Sequence, residues 1–324
     1  MEFVPLTREN ASVACSLFNS SVTAGEMLYK PFQEKDFADF FLSAADTRQH
    51  QVCFLAGNGS AFASGCWVDG EKKAYITMVL VRQDCRNRGL GRRILGELER
   101  ALARESGAFA FEIIFFNPMN LEWIIPKSGH HDHPNAPGVD IAGNGYLFFK
   151  NCGYRDFAYQ NSYYLNLADY RMPDEIAGRA ASLARDGITV TAFDATKHTG
   201  MEALLDNLGN DLWKREIMGE IRRPAGAHPI LIAEQNGTVC GFTGPLYVQP
   251  SGRGYFAGIG VHSAYRGRGI AKVLFNKLCN SQRQMGAKFM SLFTGENNPA
   301  RNIYEAAGFR IVRTWADMRK IIKK

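Results

Sequence analysis

Arg86–Arg92 reads RNRGLGR, and 180 residues further on Arg266–Lys272 reads RGRGIAK. Each stretch follows an apolar run that ends in valine, AYITMVLV at 74–81 and YFAGIGV at 255–261. Each precedes a segment whose apolar residues recur at helical spacing, as Leu90, Ile94, Leu98 and Leu102 do in the first copy. A strand, a glycine turn and a helix start is an anion-binding arrangement. The first N–H groups of a helix have no intrahelical acceptor, and the helix dipole adds partial positive charge. Gly89 and Gly269 let the backbone approach an anion closely, Gly91 and Ala271 are small, and the arginines add charge. Neither copy ends in G-K-[ST], which excludes a nucleoside-triphosphate P-loop. Gly89-x-Gly91-x4-Gly96 does not fit the dinucleotide fingerprint G-x-G-x-x-G.

Working outward, the two halves repeat one order of elements. The first half reads as a strand at Glu2–Leu6, a helix from a Thr7 cap to about Asn19, and a helix over Asp36–Ala45. A hairpin follows, Gln51–Ala56 and Ala61–Val68 across Gly57-Asn58-Gly59. Then come the central strand Ala74–Val81, the turn, a helix over Gly91–Arg104 and a strand at Phe109–Phe116. The second half reads as a strand at Ile188–Phe193, a hairpin of Pro229–Glu234 and Val239–Val248, and a central strand Tyr255–Val261. After its turn come a helix to about Gln284, a strand Lys288–Phe293, a helix over Pro299–Ala307 ended by Gly308, and a last strand Arg310–Lys320. Pro173, Ile176, Ala180 and Leu183 mark a linker helix within 170–187. The expected domains are therefore 1–169 and 188–324. Gly89 and Gly269 lie 180 residues apart, but Gly153 and Gly308 only 155, so the first half carries 25 extra residues, which fall in 117–144.

The length of 324 residues suits two domains. The 46% hydrophobic and 22% charged composition is that of a globular protein. A net charge of +6, with arginines gathered at the two turns, favours a phosphorylated small molecule over nucleic acid. The seven cysteines are scattered without a C-x-x-C pair, and no signal peptide or run of ~18–20 apolar residues is evident. A cytoplasmic protein with reduced thiols and no membrane partner is expected.

The pattern R-x-x-G-x-[GA] after a strand ending in valine resembles the CoA-binding signature of the GNAT acetyltransferase superfamily. Asn297-x-x-Ala300-x-x-Ile303-Tyr304-x-x-x-Gly308-Phe309 resembles that family's closing signature. The resemblance implies an α/β (α+β) fold of two tandem GNAT domains, each a twisted, mixed and mostly antiparallel sheet flanked by helices. It implies acetyl-CoA or another acyl-CoA as cosubstrate, no metal, and a primary amine of a small molecule as acceptor.

The roles that the resemblance implies fall on named residues. Ile259, Gly260 and Val261 would offer backbone groups to the pantetheine arm. The N–H groups around Arg266, Gly267, Arg268, Gly269, Ile270 and Ala271 would hold the pyrophosphate. Asn297 would contact the pantetheine amides, and Tyr304 would protonate the departing thiolate. In the first domain Val79, Val81, Arg86, Asn87, Arg88, Gly89, Leu90 and Gly91 take the binding positions. Phe149 stands where Tyr304 stands, so this domain is expected to be degenerate and the C-terminal one catalytic.

A general base is open among Glu216, Glu220 and Asp211, with Glu26 as the first-domain equivalent. His130-His131-Asp132-His133 in the insertion offers metal-ligating types, but adjacent residues rarely share one ion, and a loop covering a site is the simpler expectation. Cys240 and Cys279 have no evident histidine partner, so a covalent cysteine route is not expected. Rival readings are a non-catalytic acyl-CoA-binding or sensing module and a peptide or protein N-acetyltransferase. Either a monomer or a homodimer fits, since one duplicated chain can mimic a dimer of single domains.

Overall fold

A computed structural model describes residues 2–43, 47–135, 137–223 and 227–322. By contacts the chain forms two compact units. One runs to Asn161 and takes in the chain again from Arg313; the other is Ser162–Val312. The division at 169 and 188 puts the last strand with the second half, whereas from Arg313 onward that strand packs in the first unit.

The first unit contains β1 (Phe3–Pro5), α1 (Ala11–Thr23), α2 (Glu34–Leu42), β2 (Gln49–Ala56), β3 (Ala61–Val68) and β4 (Lys73–Val81). After these come α3 (Leu90–Ser106), β5 (Ala110–Ile113) and the short strands β6 (Trp123–Ile124), β7 (Asp132–His133) and β8 (Val139–Asp140). Next are α4 (Asn144–Asn151) and the first part of β9 (Arg155–Asn166). Helix α1 begins at Ala11 rather than after Thr7, because Asn10 turns its carboxamide back to accept the Thr7 N–H (2.8 Å). Residues 44 and 45 of the expected second helix lie outside the described residues.

The strands run in the order β1-β2-β3-β4-β5, followed by the chain's last strand and β9. Neighbours from β1 to β4 are antiparallel, while β4 and β5 are parallel. Alternate side chains of β4 enter opposite cores. Tyr75, Met78 and Leu80 pack with Phe18, Phe37 and Phe41 of α1 and α2, while Ala74 and Ile76 pack with Ile94, Leu98 and Leu102 of α3. Met78 joins the first set because a bulge at Thr77 shifts the alternation by one: Ser64 faces Met78 while Gly65 faces Ile76.

The second unit contains α5 (Asp174–Arg185), β10 (Ile188–Ala192), α6 (Met201–Leu208), α7 (Asp211–Ile221), β11 (Leu231–Gln235) and β12 (Thr238–Gly244). It continues with β13 (Gly258–Val261), α8 (Ile270–Gln284), β14 (Phe289–Gly295), α9 (Arg301–Ala306) and the start of β15 (Arg310–Ile321). Strands β10-β11-β12-β13 form an antiparallel sheet, and β14 lies beside β9. Asn236 (φ 52°) and Gly237 (φ 78°) make a two-residue hairpin turn, the backbone that Asn-Gly favours. Strand β12 stops at Gly244, because Pro245 has no N–H for the ladder. The linker helix buries Ile176 and Leu183 in the core of the second unit.

Candidate functional site

In the first unit β4 and β5 pair only over Lys73–Ala110, Ala74–Phe111 and Tyr75–Glu112, then part. Beyond Ile113 the chain turns to the last strand: the Phe115 N–H donates to the carboxylate of Asp317 (2.8 Å). Beyond the Ile76 carbonyl, which accepts from Asn117 Nδ2 (3.2 Å), the edge of β4 to Val81 is thereby released from strand pairing on that side. In the second unit the same parting is seen further back. Arg253 and Phe289 make a parallel bridge, with Gly254 N–H to Phe289 C=O at 2.8 Å, and β13 then runs without β14 as a partner.

Both strands end at valine and lead through a 3-10 turn, Gln83–Cys85 or Ser263–Tyr265, into the glycine turn. Gly89 (φ 78°) and Gly269 (φ 85°) are left-handed and start α3 and α8. Gly267 is left-handed too (φ 81°), and in the first copy Asn87 takes that conformation (φ 59°). Asparagine is among the few side chains that accept it. The first helical bonds are Arg93 N–H to Gly89 C=O (3.1 Å) and Val273 N–H to Gly269 C=O (3.3 Å). The N–H groups of Leu90, Gly91 and Arg92, and of Ile270, Ala271 and Lys272, therefore have no intrahelical acceptor. The first arginine of each motif is structural as well as charged: Nε of Arg86 donates to Val81 C=O (2.9 Å), and Nε of Arg266 to Val261 C=O (3.3 Å).

The surroundings of the two turns differ. In the first unit nothing lies within 4 Å of where a Cβ on Gly89 would stand. A cleft of about 820 Å3 opens there, within the usual range for small-molecule sites. Its walls are Met78–Val81, the turn from Arg86, residues 25–29, Trp123, the insertion from Pro137 onward, and Arg313 and Trp315 of β15. It shares Tyr29, Met78, Val79 and Pro137–Val139 with a smaller chamber of about 110 Å3 at the parting of the strands, which Phe149 also lines. The insertion thus walls the site. Of its histidines, His133 is buried against Trp123 and Phe115.

Arg86 and Glu26, expected as an anion ligand and a base, are joined to each other. Arg86 Nη1 meets Glu26 Oε1 at 2.9 Å and Nη2 meets Oε2 at 2.5 Å.

In the second unit, Arg179 of α5 lies over the turn, its Cδ 3.0 Å from where a Cβ on Gly269 would stand. The strand residues Gly258 and Gly260 have no room for a side chain. A Cβ would meet Trp213 at 2.4 Å and Leu208 at 2.3 Å. Asn297 is exposed, and its neighbour Asn298 accepts the Ala300 N–H (3.0 Å) at the entry to α9. Tyr304 is buried against Phe275 (5.0 Å) and Tyr163 (6.0 Å), and burial, helped by Tyr163, pushes its phenol up to about 12. Glu220 is taken by the His228 N–H (2.6 Å) and by Arg223 (3.0 Å), while Glu216 accepts the Tyr255 hydroxyl. Asp211 is exposed at the start of α7. Burial pushes the Cys240 thiol up to about 11 and that of Cys279 higher still, the opposite of a nucleophile's requirement.

Sequence reasoning missed Tyr29, Trp123, Arg179 and Trp315. None sits in a motif: Tyr29 and Trp123 fall in unpatterned or short-strand segments, Trp315 lies on the last strand, whose destination the sequence does not show, and Arg179 is a polar residue on a linker helix.

A family model described as "Acetyltransferase (GNAT) family" matches residues 18–120 and 188–309. No curated protein sequence matches the chain. Among solved structures, the chain is similar to a GCN5-related glucosamine N-acetyltransferase region of a fungal multi-domain GH3 β-N-acetylglucosaminidase (TM-score 0.66, 16% identity). That match covers 98% of this chain but only 38% of that one. It is similar to a GCN5-related N-acetyltransferase from Sphaerobacter thermophilus (TM-score 0.64, 15% identity, 99% and 96% of the two chains). It is also similar to a tandem GNAT protein from the clavulanic acid biosynthesis pathway (TM-score 0.61, 16% identity, 100% and 99%). At these identities the likeness is one of fold. Among the described residues no helix is long and apolar enough to cross a membrane.

Proposed function

Because the chain belongs to the GNAT acetyltransferase family, we propose that it transfers an acetyl group from acetyl-CoA to a primary amine of a small molecule. The observation that carries this reading is the cleft of about 820 Å3, which joins the unpaired edge of β4 to the open glycine turn at Gly89. The residues present fit the cosubstrate: a helix start with free N–H groups for a pyrophosphate, and a strand edge with free backbone groups for an amide-bearing arm. Bound acetyl-CoA supplies the acetyl group as an activated thioester.

The chain's own residues do the rest. The N–H groups at Gly89–Arg92 and Gly269–Lys272 hold the phosphates, and Asn297 reaches the arm in the second unit. Backbone N–H groups of Val79 and Ile259 polarise the acyl carbonyl. Tyr304 keeps its proton at neutral pH and donates it to the sulfur as the carbon–sulfur bond breaks. The cleft supports acyl-CoA binding in the first unit; we assign the transfer to the C-terminal domain on its closing signature, Asn297 to Phe309, in a protein acting as a monomer or homodimer in the cytoplasm.

A second reading, a non-catalytic acyl-CoA sensor, is favoured by Phe149 at the position of Tyr304 and by the Glu26–Arg86 pair, which already occupies one cradle arginine. Calorimetric titration with acetyl-CoA, followed by an acetylation assay on a panel of small amines, separates the two. Binding with turnover supports the transferase. Binding without acetylation of any amine supports the sensor, and no binding overturns both.

A further inference from the structure

We propose that Tyr29 is the proton donor in the cleft of the first unit, supplying the hydroxyl that Phe149 lacks. The proposal rests on the acyl-CoA reading above, and it makes the first unit a second working site.

Tyr29 lines both the large cleft and the small chamber where β4 and β5 part. Val79 and Phe149 are further walls of that chamber, so Tyr29 shares the space that a hydroxyl at position 149 would have faced. Two hydroxyl-bearing residues line it, Tyr29 and Thr77. Thr77 gives its proton to Asn117 Oδ1 (3.2 Å). Asn117 is itself committed, through Nδ2 to Ile76 C=O (3.2 Å) and through Oδ1 to Met119 N–H (2.9 Å). Among the described residues Tyr29 has no hydrogen-bond partner for its hydroxyl. Burial pushes its phenol above the usual value, so the proton stays on the oxygen at neutral pH.

The segment carrying Tyr29 is held firmly. Ile124 N–H donates to Leu28 C=O (2.6 Å) and Lys30 N–H to Glu122 C=O (3.1 Å), so that Tyr29 faces Trp123 as in a two-stranded ladder. The Lys30 ammonium meets Glu122 (2.5 Å) and Asp132 (3.2 Å). Asn19 clasps Phe32 from both sides, accepting its N–H (3.0 Å) and donating to its C=O (2.8 Å). The insertion that sets the first half apart from the second thus fixes Tyr29 over the parted strands. In the second unit the connection from α6 to α7 is Gly209-Asn210, with no tyrosine, and the phenol comes from α9 instead.

In the step itself, the amine nitrogen bonds to the acetyl carbon and the carbon–sulfur bond breaks. The sulfur takes the Tyr29 proton. The proton lost by the new ammonium returns, through water, to the phenolate.

The test needs no acceptor. Coenzyme A is bound to the full chain carrying Tyr304→Phe, and its thiol is titrated by the ultraviolet absorbance of the thiolate. A phenol donating to the sulfur favours the charged form and lowers the pKa of the bound thiol. Adding Tyr29→Phe, which keeps the ring packed on Phe18 (6.0 Å), should raise that pKa by about one unit, a tenfold drop in thiolate at a given pH, with stoichiometry unchanged. An unchanged titration with coenzyme A still bound to the first unit overturns the assignment of Tyr29. No binding to the first unit in either form overturns the acyl-CoA reading of that cleft itself.

Discussion

Phe115 and Asp317 are 202 residues apart, yet the amide of one donates to the carboxylate of the other at 2.8 Å inside the first unit. The second oxygen of Asp317 accepts from Gln160 Nε2 (3.0 Å). Strand β15 then pairs with β5 from Met318–Ile113 to Ile321–Ala110. The last strand of the chain thus turns β5 away from β4, and that parting creates the cleft.

Asp317 is buried, and burial is the main cause that raises its carboxyl above the usual aspartate value. A raised folded pKa means that its contribution to stability is complete below the unfolded value of about 3.9 and is lost as pH rises through the folded value. At neutral pH the ionised group is therefore a cost. Asp317→Asn keeps an acceptor for Phe115 and removes the charge, so urea unfolding at pH 7 should show no loss of stability, or a gain. Asp317→Ala leaves the Phe115 N–H buried without an acceptor and should cost about 1–3 kcal/mol.

The fold was legible where chemistry repeats locally. Gly89 and Gly269 announce a left-handed helix start, Leu90, Ile94, Leu98 and Leu102 announce one buried face, and Asn236-Gly237 announces a hairpin. The destination of β15 was not legible, because Arg310–Lys320 reads as a strand whichever sheet receives it. The candidate site was half legible. The cradle follows from backbone conformation, which glycine and asparagine reveal. Tyr29 reaches its chamber only because Glu122, Ile124 and Asp132, about a hundred residues later, hold its segment. The expectation that the first domain is a degenerate copy came from Phe149 and from the insertion, which breaks the spacing between Asn117 and a terminal helix, and no local pattern could weigh these against Tyr29.

Glu26 neutralises Arg86 beside the open cradle, with side chains about a quarter to a third exposed. A phosphate arriving there meets a guanidinium already shared with a carboxylate. Glu26→Gln should therefore tighten coenzyme A binding to the first unit severalfold, at a stability cost of at most about 1 kcal/mol. The gain should shrink as salt rises. Titration calorimetry at low and high ionic strength checks both parts. Weaker binding in the variant would mean that the pair organises the cradle more than it competes with the ligand.

Arg179 places its chain against Gly269, and among the described residues its guanidinium has no acidic partner. Arg179→Gln removes a cation from the mouth of the second cradle and should weaken coenzyme A binding there by about tenfold, near 1.4 kcal/mol. The first unit's site should be unaffected. Tighter binding in Arg179→Gln would instead identify the arginine as a plug over the turn.

Tyr304→Phe removes one oxygen from a well-packed ring, so folding and coenzyme A affinity should be nearly unchanged. If the phenol donates to the leaving sulfur, turnover at the second site should fall by about 10²–10⁴-fold. With the phenol pushed up to about 12, Tyr304 is fully protonated through neutral pH, and its ionisation removes activity only as pH rises toward that value. A falling limb between pH 7 and 9 must then come from another group and should persist in any residual activity of the variant. Should turnover survive at the wild-type rate in Tyr304→Phe and drop only when Tyr29→Phe is added, the chemistry belongs to the first unit, and Tyr304 serves as a core aromatic packed on Phe275.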